Sequence, residues 1–152
     1  MLELNKNIIE VKHITNSESE TIFLAAAFSK QFLKKGDTVA LFGELGSGKT
    51  RFVKGICSGL GYFANITSPS FKIFNEYTTK SLKIFHFDFY RIQDDNEIND
   101  IGFEDYIYND GICIIEWAER IIKRLPPNRY DIFFKLGISE NIREIEIKKL
   151  HE

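Results

Sequence analysis

The sequence predicts an α/β fold with a mixed β-sheet flanked by helices, and three features of the 152-residue chain lead there. Short apolar runs alternate with amphipathic stretches of helical period, so strands and helices interleave. Two of those runs, TVALFG and GICIIEW, are almost uninterrupted, as expected of strands covered on both faces. Two pairs of alternating segments, FKIFNEY with SLKIFHFDF and RYDIFFKL with REIEIKKL, read as antiparallel hairpins and make the sheet mixed.

The elements follow in order. NIIEVKHI sets Ile9, Val11 and His13 against Glu10 and Lys12, the alternation of a half-buried strand that opens the sheet. Ser17 and Glu20 have the spacing of a capping box, and Ile22, Ala25, Phe28 and Phe32 recur at helical intervals, so a helix is predicted to run on to Gly36. TVALFG is the next strand and leads straight into glycines. Beyond them Val53, Ile56, Cys57 and Leu60 mark a helix that ends in SGLGY. The first hairpin turns at TTKS; DDNEIND and FEDYIYN are short helical turns split by Gly102; GICIIEW is a buried strand followed by helical AERIIKRL; and the last hairpin turns around GISENI.

A composition 43% hydrophobic and 14% aromatic supplies one sizeable core, so residues 1–152 are expected to form a single domain. A net charge of −2 creates no global basic field, and contact with nucleic acid must then run through a local patch or a partner. Cys57 and Cys113 lack metal-ligand spacing and read as core residues of a reduced protein. No continuous apolar stretch marks a signal peptide or membrane span, and the expected setting is the cytoplasm, with no membrane partner.

GELGSGKT satisfies the phosphate-loop pattern G-x-x-x-x-G-K-[ST] with Gly43, Gly48, Lys49 and Thr50, and Gly46 adds freedom in the middle. Glycines let successive N–H groups turn inward, and the following helix aims its positive end at the same point. Lys49 then supplies a mobile cation for the phosphates, and the Thr50 hydroxyl suits Mg²⁺, which prefers oxygen donors. The loop lies between an apolar strand and an amphipathic helix, and the expected ligand is a nucleoside triphosphate, the fold a P-loop NTPase-like sheet. Such a site needs an acid at the end of another strand; Glu116, ending GICIIEW, and Asp88, in IFHFDFY, are the candidates. TSPSF offers Ser68 or Ser70 as a hydroxyl that senses the terminal phosphate, with an ordinary proline turn as the equal alternative. Arg51, Arg91 and Arg143 are possible phosphate or base contacts, whereas His86 and Trp117 are expected to be packing residues.

With these segments in place, the chain resembles the TsaE family, small P-loop ATPases of the bacterial machinery that makes threonylcarbamoyladenosine in tRNA. The resemblance covers Ser17 to Arg143 and rests on GDTVALFGELGSGKTRFVKGI, TSPSF followed by NEY, HFDFYRI, the acidic DDNEINDIGFEDY, and CIIEWAER. Ser70 stands where the family commonly has threonine, and Ala118 where it commonly has proline. The resemblance implies that Gly46, Ser47, Gly48, Lys49, Thr50 and Arg51 surround the phosphates of ATP, with Thr50 and Glu116 as Mg²⁺ ligands. It also implies that Asp88 is a further acid near the metal or its water, and that Ser17 and Arg143 lie near the nucleotide. The implied partners are TsaD and TsaB, with tRNA reached through the complex. From the residues themselves, spacing assigns neither Asp88 nor Glu116 to the attacking water and no arginine as a finger, which predicts slow hydrolysis in the isolated chain. Two other readings stay open from the residues alone. One is a small-molecule kinase, with Arg120, Lys123, Arg124 and Arg129 as a lid; the other is a nucleotide-dependent binding module.

Overall fold

The computed structural model describes residues 10–69 and 71–151. Ser70 and residues 7–9 of the expected first strand lie outside the described residues. Strands β1 (Glu10–Thr15), β2 (Thr38–Gly43), β3 (Phe74–Thr78), β4 (Lys83–Asp88), β5 (Ile112–Glu116), β6 (Arg129–Leu136) and β7 (Arg143–Leu150) form one sheet. Its order is β1-β7-β6-β2-β5-β4-β3. β2 is parallel to both β5 and β6, β5 is parallel to β4, and the remaining pairings are antiparallel. The sheet is therefore mixed: β6, β2, β5 and β4 run parallel in the middle, and the two expected hairpins extend it outward by pairing β7 with β6 and β3 with β4.

Both faces of the central strands are covered, which accounts for their unbroken apolar runs. Val39 and Leu41 of β2 point into a core shared with α1 (Glu18–Phe32) and α2 (Lys49–Gly59), among them Phe28, Phe52 and Ile56. Ala40 and Phe42 point the other way, into a second core with Phe87 of β4 and with Ile98 and Phe103 of the segment that contains α3 (Phe103–Ile107). α1 and α2 approach closely because α2 carries glycines there: a Cβ on Gly55 would sit 2.3 Å from the Ile22 carbonyl oxygen. Cys57 and Cys113 are buried, and burial pushes both thiols up to about 12.

Three boundaries differ from expectation. α1 ends at Phe32, four residues before Gly36. Asp37 accepts from the Lys34 backbone at 2.9 Å, and the Gly36 N–H donates to Gly111 O at 2.8 Å. The chain there is committed to a turn that leads into β2. β3 begins only at Phe74, because the Lys72 and Ile73 N–H groups both turn back to Pro69 O, leaving Ile73 at φ 68°. AERIIKRL forms 3-10 turns, Ala118–Arg124, broken at Ile121. Its preceding residue, Trp117, takes a left-handed φ of 57° and provides no side-chain cap.

Candidate functional site

β2 delivers the glycine loop to the end of the sheet, and α2 begins at its last glycine. Gly48 is the N-cap of α2 at φ 105°, a left-handed conformation that a side chain would strain. The loop borders a cleft of about 580 Å³ that Ser17, Gly46, Ser47, Gly48, Lys49, Thr50, Arg51, Asp88, Glu116 and Arg143 all line. Gly43 ends β2 and is not among the residues that line the cleft, its carbonyl accepting from Lys49. Ser68, one of the two hydroxyls considered as a phosphate sensor, lines the cleft and donates to Asp88 Oδ2.

The two acids meet because β4 and β5 are parallel and in register, Asp88 opposite Glu116, so both strands end in a carboxylate at the same edge. Glu116 is 2% exposed, and its Oε1 accepts from the Thr50 hydroxyl at 2.9 Å. Asp88 Oδ1 accepts from the Tyr90 backbone at 2.9 Å. Lys49 donates to the carbonyls of Gly43 and Glu44 and lies 4.0 Å under the Trp117 ring. Burial holds its pKa below the ordinary lysine value, although Glu119, Glu116, Asp88 and Glu44 pull the other way.

This donor set fits a magnesium nucleotide. Adjacent ligands of an octahedral ion at ~2.1 Å stand about 3 Å apart, and the Thr50 and Glu116 oxygens are 2.9 Å apart. Among the described residues no trio of His, Cys, Asp or Glu is placed to cage a metal unaided. A hydroxyl and carboxylates instead suit an ion that keeps waters and takes its other oxygens from phosphates. The Ser47 hydroxyl, 1% exposed and without a partner among the described residues, is an open polar position in the loop itself.

Comparison with known proteins decides the family. The model of the family described as "Threonylcarbamoyl adenosine biosynthesis protein TsaE" matches residues 15–145. The chain belongs to the TsaE family. It is 39% identical over 136 residues to the tRNA threonylcarbamoyladenosine biosynthesis protein TsaE of Bacillus subtilis, covering 90% of this chain and 84% of the relative. The protein of the same name from Rickettsia typhi is 40% identical over 138 residues, 90% of this chain and 94% of that one. The crystal structure of Bacillus subtilis YdiB superposes with a TM-score of 0.78 at 32% identity, covering 93% of this chain and 86% of that one.

Residues from the two ends of this TsaE chain also reach the cleft. Ser17 caps α1, its hydroxyl accepting from Glu20 N at 3.1 Å, while the Glu20 carboxylate accepts from Asn16 N. Arg143, at the start of β7, donates to Gly46 O at 3.2 Å and to Ile142 O at 2.9 Å, and so ties the tail hairpin to the phosphate loop. Arg51 forms an exposed pair with Glu18 at 3.5 Å, and Arg91 lies over the Phe71 ring at 4.2 Å.

Of the four residues considered for a kinase lid, Arg120 lies 5.7 Å from the ring of Trp117 at the cleft, while Arg124 and Arg129 are occupied elsewhere. Arg124 donates to Asn99 at 2.7 Å and Glu104 at 2.9 Å, and Arg129 is paired with Asp131 at 2.7 Å. They hold the 3-10 turns and β6 in place, away from the cleft lining.

Trp117 and His86 do more than pack. The Trp117 ring roofs Lys49 and lies 4.9 Å from the Tyr90 ring, a cation–π position at the cleft. His86, fully buried as expected, bonds Glu116 Oε2 through Nε2 at 2.6 Å. The sequence does carry a signal for this: in HFD the two-residue spacing places His86 on the face of Asp88.

Proposed function

We propose that this protein binds ATP with Mg²⁺ and hydrolyses it as the ATPase component of the machinery that makes threonylcarbamoyladenosine in tRNA. In this reading one domain, residues 1–152, works in the cytoplasm with TsaD and TsaB and meets tRNA through them. The process is supported by the names of its relatives, tRNA threonylcarbamoyladenosine biosynthesis proteins. No helix among the described residues is long and apolar enough to cross a membrane. The single observation that carries the ATPase part is the convergence of Lys49, Thr50, Asp88 and Glu116 on one cleft beside the glycine loop.

Phosphoryl transfer asks for charge neutralisation and an in-line nucleophile more than for covalent chemistry. The residues that would hold Mg²⁺ are Thr50 and Glu116, and the bound ion would neutralise phosphate oxygens. Gly46, Ser47 and Gly48 border the cleft where the phosphates would lie, the Ser47 N–H donating to Glu44 O at 3.1 Å, with Ser17, Arg51 and Arg143 lining the same cleft. Lys49 exchanges its contacts with Gly43 O and Glu44 O for phosphate oxygens. Asp88, its carboxylate fixed by Ser68 and the Tyr90 amide, orients the attacking water. Ser70 contributes a further hydroxyl in the same segment.

Hydrolysis by the isolated chain is slow, and assembly with TsaD and TsaB completes the site. The test is ATP turnover and modified tRNA, measured with wild-type and Lys49→Ala chains, alone and with purified TsaB and TsaD. The expected result is turnover that rises on assembly and disappears in the variant. Wild-type amounts of modified tRNA from Lys49→Ala would sink the proposal, and equal turnover alone and assembled would remove the dependence on partners.

A further inference from the structure

Behind the acids runs a buried polar chain that the ATPase reading leaves without a task. His86 sits in the middle of β4 at 0% exposure, where an isoleucine or leucine would fill the core with no polar group to satisfy. Its Nε2 is 2.6 Å from Glu116 Oε2, and its Nδ1 is 3.0 Å from the Tyr77 hydroxyl. The Tyr77 oxygen in turn accepts from the Asn75 amide at 3.4 Å. Strand pairing makes the chain possible: Asn75 lies opposite His86 in the β3–β4 ladder, and His86 is two residues before Asp88, the partner of Glu116.

The donors in this chain share one direction. An ionised carboxylate only accepts, so an imidazole with a single ring hydrogen carries it on Nε2 toward Glu116 and leaves Nδ1 to accept from Tyr77. Burial pushes the Tyr77 phenol up to about 12, which keeps that hydrogen in place at any working pH. Asn75 donates to Tyr77, Tyr77 to His86, and His86 to Glu116. The other Glu116 oxygen, Oε1, faces the Thr50 hydroxyl.

We propose that His86 is a positioning residue that occupies Glu116 Oε2 and so turns Oε1 alone toward the cation beside Thr50, with Tyr77 fixing the imidazole tautomer. The inference rests on the magnesium–nucleotide reading of the cleft. A carboxylate held by one oxygen cannot rotate away from the cleft, so the cost of orienting it is met during folding rather than on binding.

Calorimetry of the full chain with ADP, once with Mg²⁺ and once with EDTA, isolates the gain in affinity that the ion provides. His86→Leu removes the donor at similar volume, His86→Gln keeps an amide donor, and Tyr77→Phe removes only the hydroxyl behind it. The magnesium gain should fall about tenfold or more in His86→Leu, on the scale of outer-shell partners of metal ligands. It should stay within about threefold of wild type in His86→Gln and fall about threefold in Tyr77→Phe, with affinity in EDTA within about twofold throughout. Thermal melts establish that each variant is folded. A folded His86→Leu that keeps the full gain, or equal losses in His86→Leu and His86→Gln, would overturn the proposal. If His86→Leu does not fold, an unchanged gain in Tyr77→Phe overturns it equally. Nitrogen NMR of the ligand-free protein should find the Nε2-protonated tautomer, and the Nδ1-protonated form would contradict the chain of donors. Wild-type protein that takes up nucleotide without a magnesium gain removes this inference alone. Wild-type protein that takes up no nucleotide removes the underlying reading with it.

Discussion

Gly55 sets how closely α2 lies on α1, and Gly55→Ala should force the two helices apart. The new Cβ would meet the Ile22 carbonyl oxygen at 2.3 Å and the Ala25 Cβ at 2.5 Å. Carbon atoms that touch without bonding sit about 3.5–4.0 Å apart, so both contacts are severe. The oxygen belongs to the backbone of α1 and cannot swing aside; the helix itself must move. Overpacking of this kind costs about 1–3 kcal/mol, and alanine returns up to ~1 kcal/mol through its better helix propensity. With a backbone atom as the obstacle, a net loss of about 1–2 kcal/mol is expected, which for a chain of this size lowers the melting temperature by about 2–8 °C. Circular dichroism melts read this directly. Lys54→Ala, on the exposed side of the same helix, should stay within about 0.5 kcal/mol of wild type. Nucleotide affinity should fall with stability in Gly55→Ala, because α1 opens at Ser17 and α2 at the phosphate loop. A Gly55→Ala protein that melts at or above the wild-type temperature would refute the packing argument, since propensity would then have outweighed the clash.

Other outcomes follow from the same coordinates. The Cys57 and Cys113 thiols are raised from 9.0 to about 12, so above pH 9 the unfolded chain releases thiol protons that the folded chain keeps. Their contribution is complete below pH 9 and is lost as pH climbs toward 12. Urea melts across that window should show a shallower alkaline decline in Cys57→Ala/Cys113→Ala, and an unchanged slope would contradict the burial of the thiols. Arg143→Ala cuts the tie to Gly46 O and should weaken nucleotide binding by about tenfold, the scale of one charge-assisted hydrogen bond partly open to water. Arg143→Lys should recover only part of it in the same titration, because an ammonium lacks the fork that spans two carbonyls. Ser17→Ala removes the N-cap of α1 and should cost ~1 kcal/mol, read as a fall of about 2–4 °C in the melt.

Much of this protein is written in short stretches of chain. The strand–glycine–helix order around Lys49, the cap at Ser17 and the alternation of the hairpins depend on contacts between residues a few positions apart, so periodicity and spacing carry them. The acids were legible for the same reason, as carboxylates ending apolar strands. The stop of α1 at Phe32 was not, because the competing bond from Asp37 and the pull of Gly111 on Gly36 decide it. Nor was the position of Arg143, which composition could not show and which the family resemblance supplied; its partner Gly46 lies across the sheet, reached only once β7 pairs with β6 beside β2.

His86 marks the division most clearly. Its apolar neighbours in sequence announce burial, and burial is what the structure has. What it bonds to depends on β4 and β5 lying parallel in one particular register, since a shift of one residue would turn the imidazole to the opposite face of the sheet. The sequence by itself therefore determined the glycine loop, the Lys49 and Thr50 that close it and the class of fold, because each is a local pattern. Only tertiary structure decided that Glu116 would meet Thr50 on one side and His86 on the other, because strand order and register arise from the packing of the whole sheet.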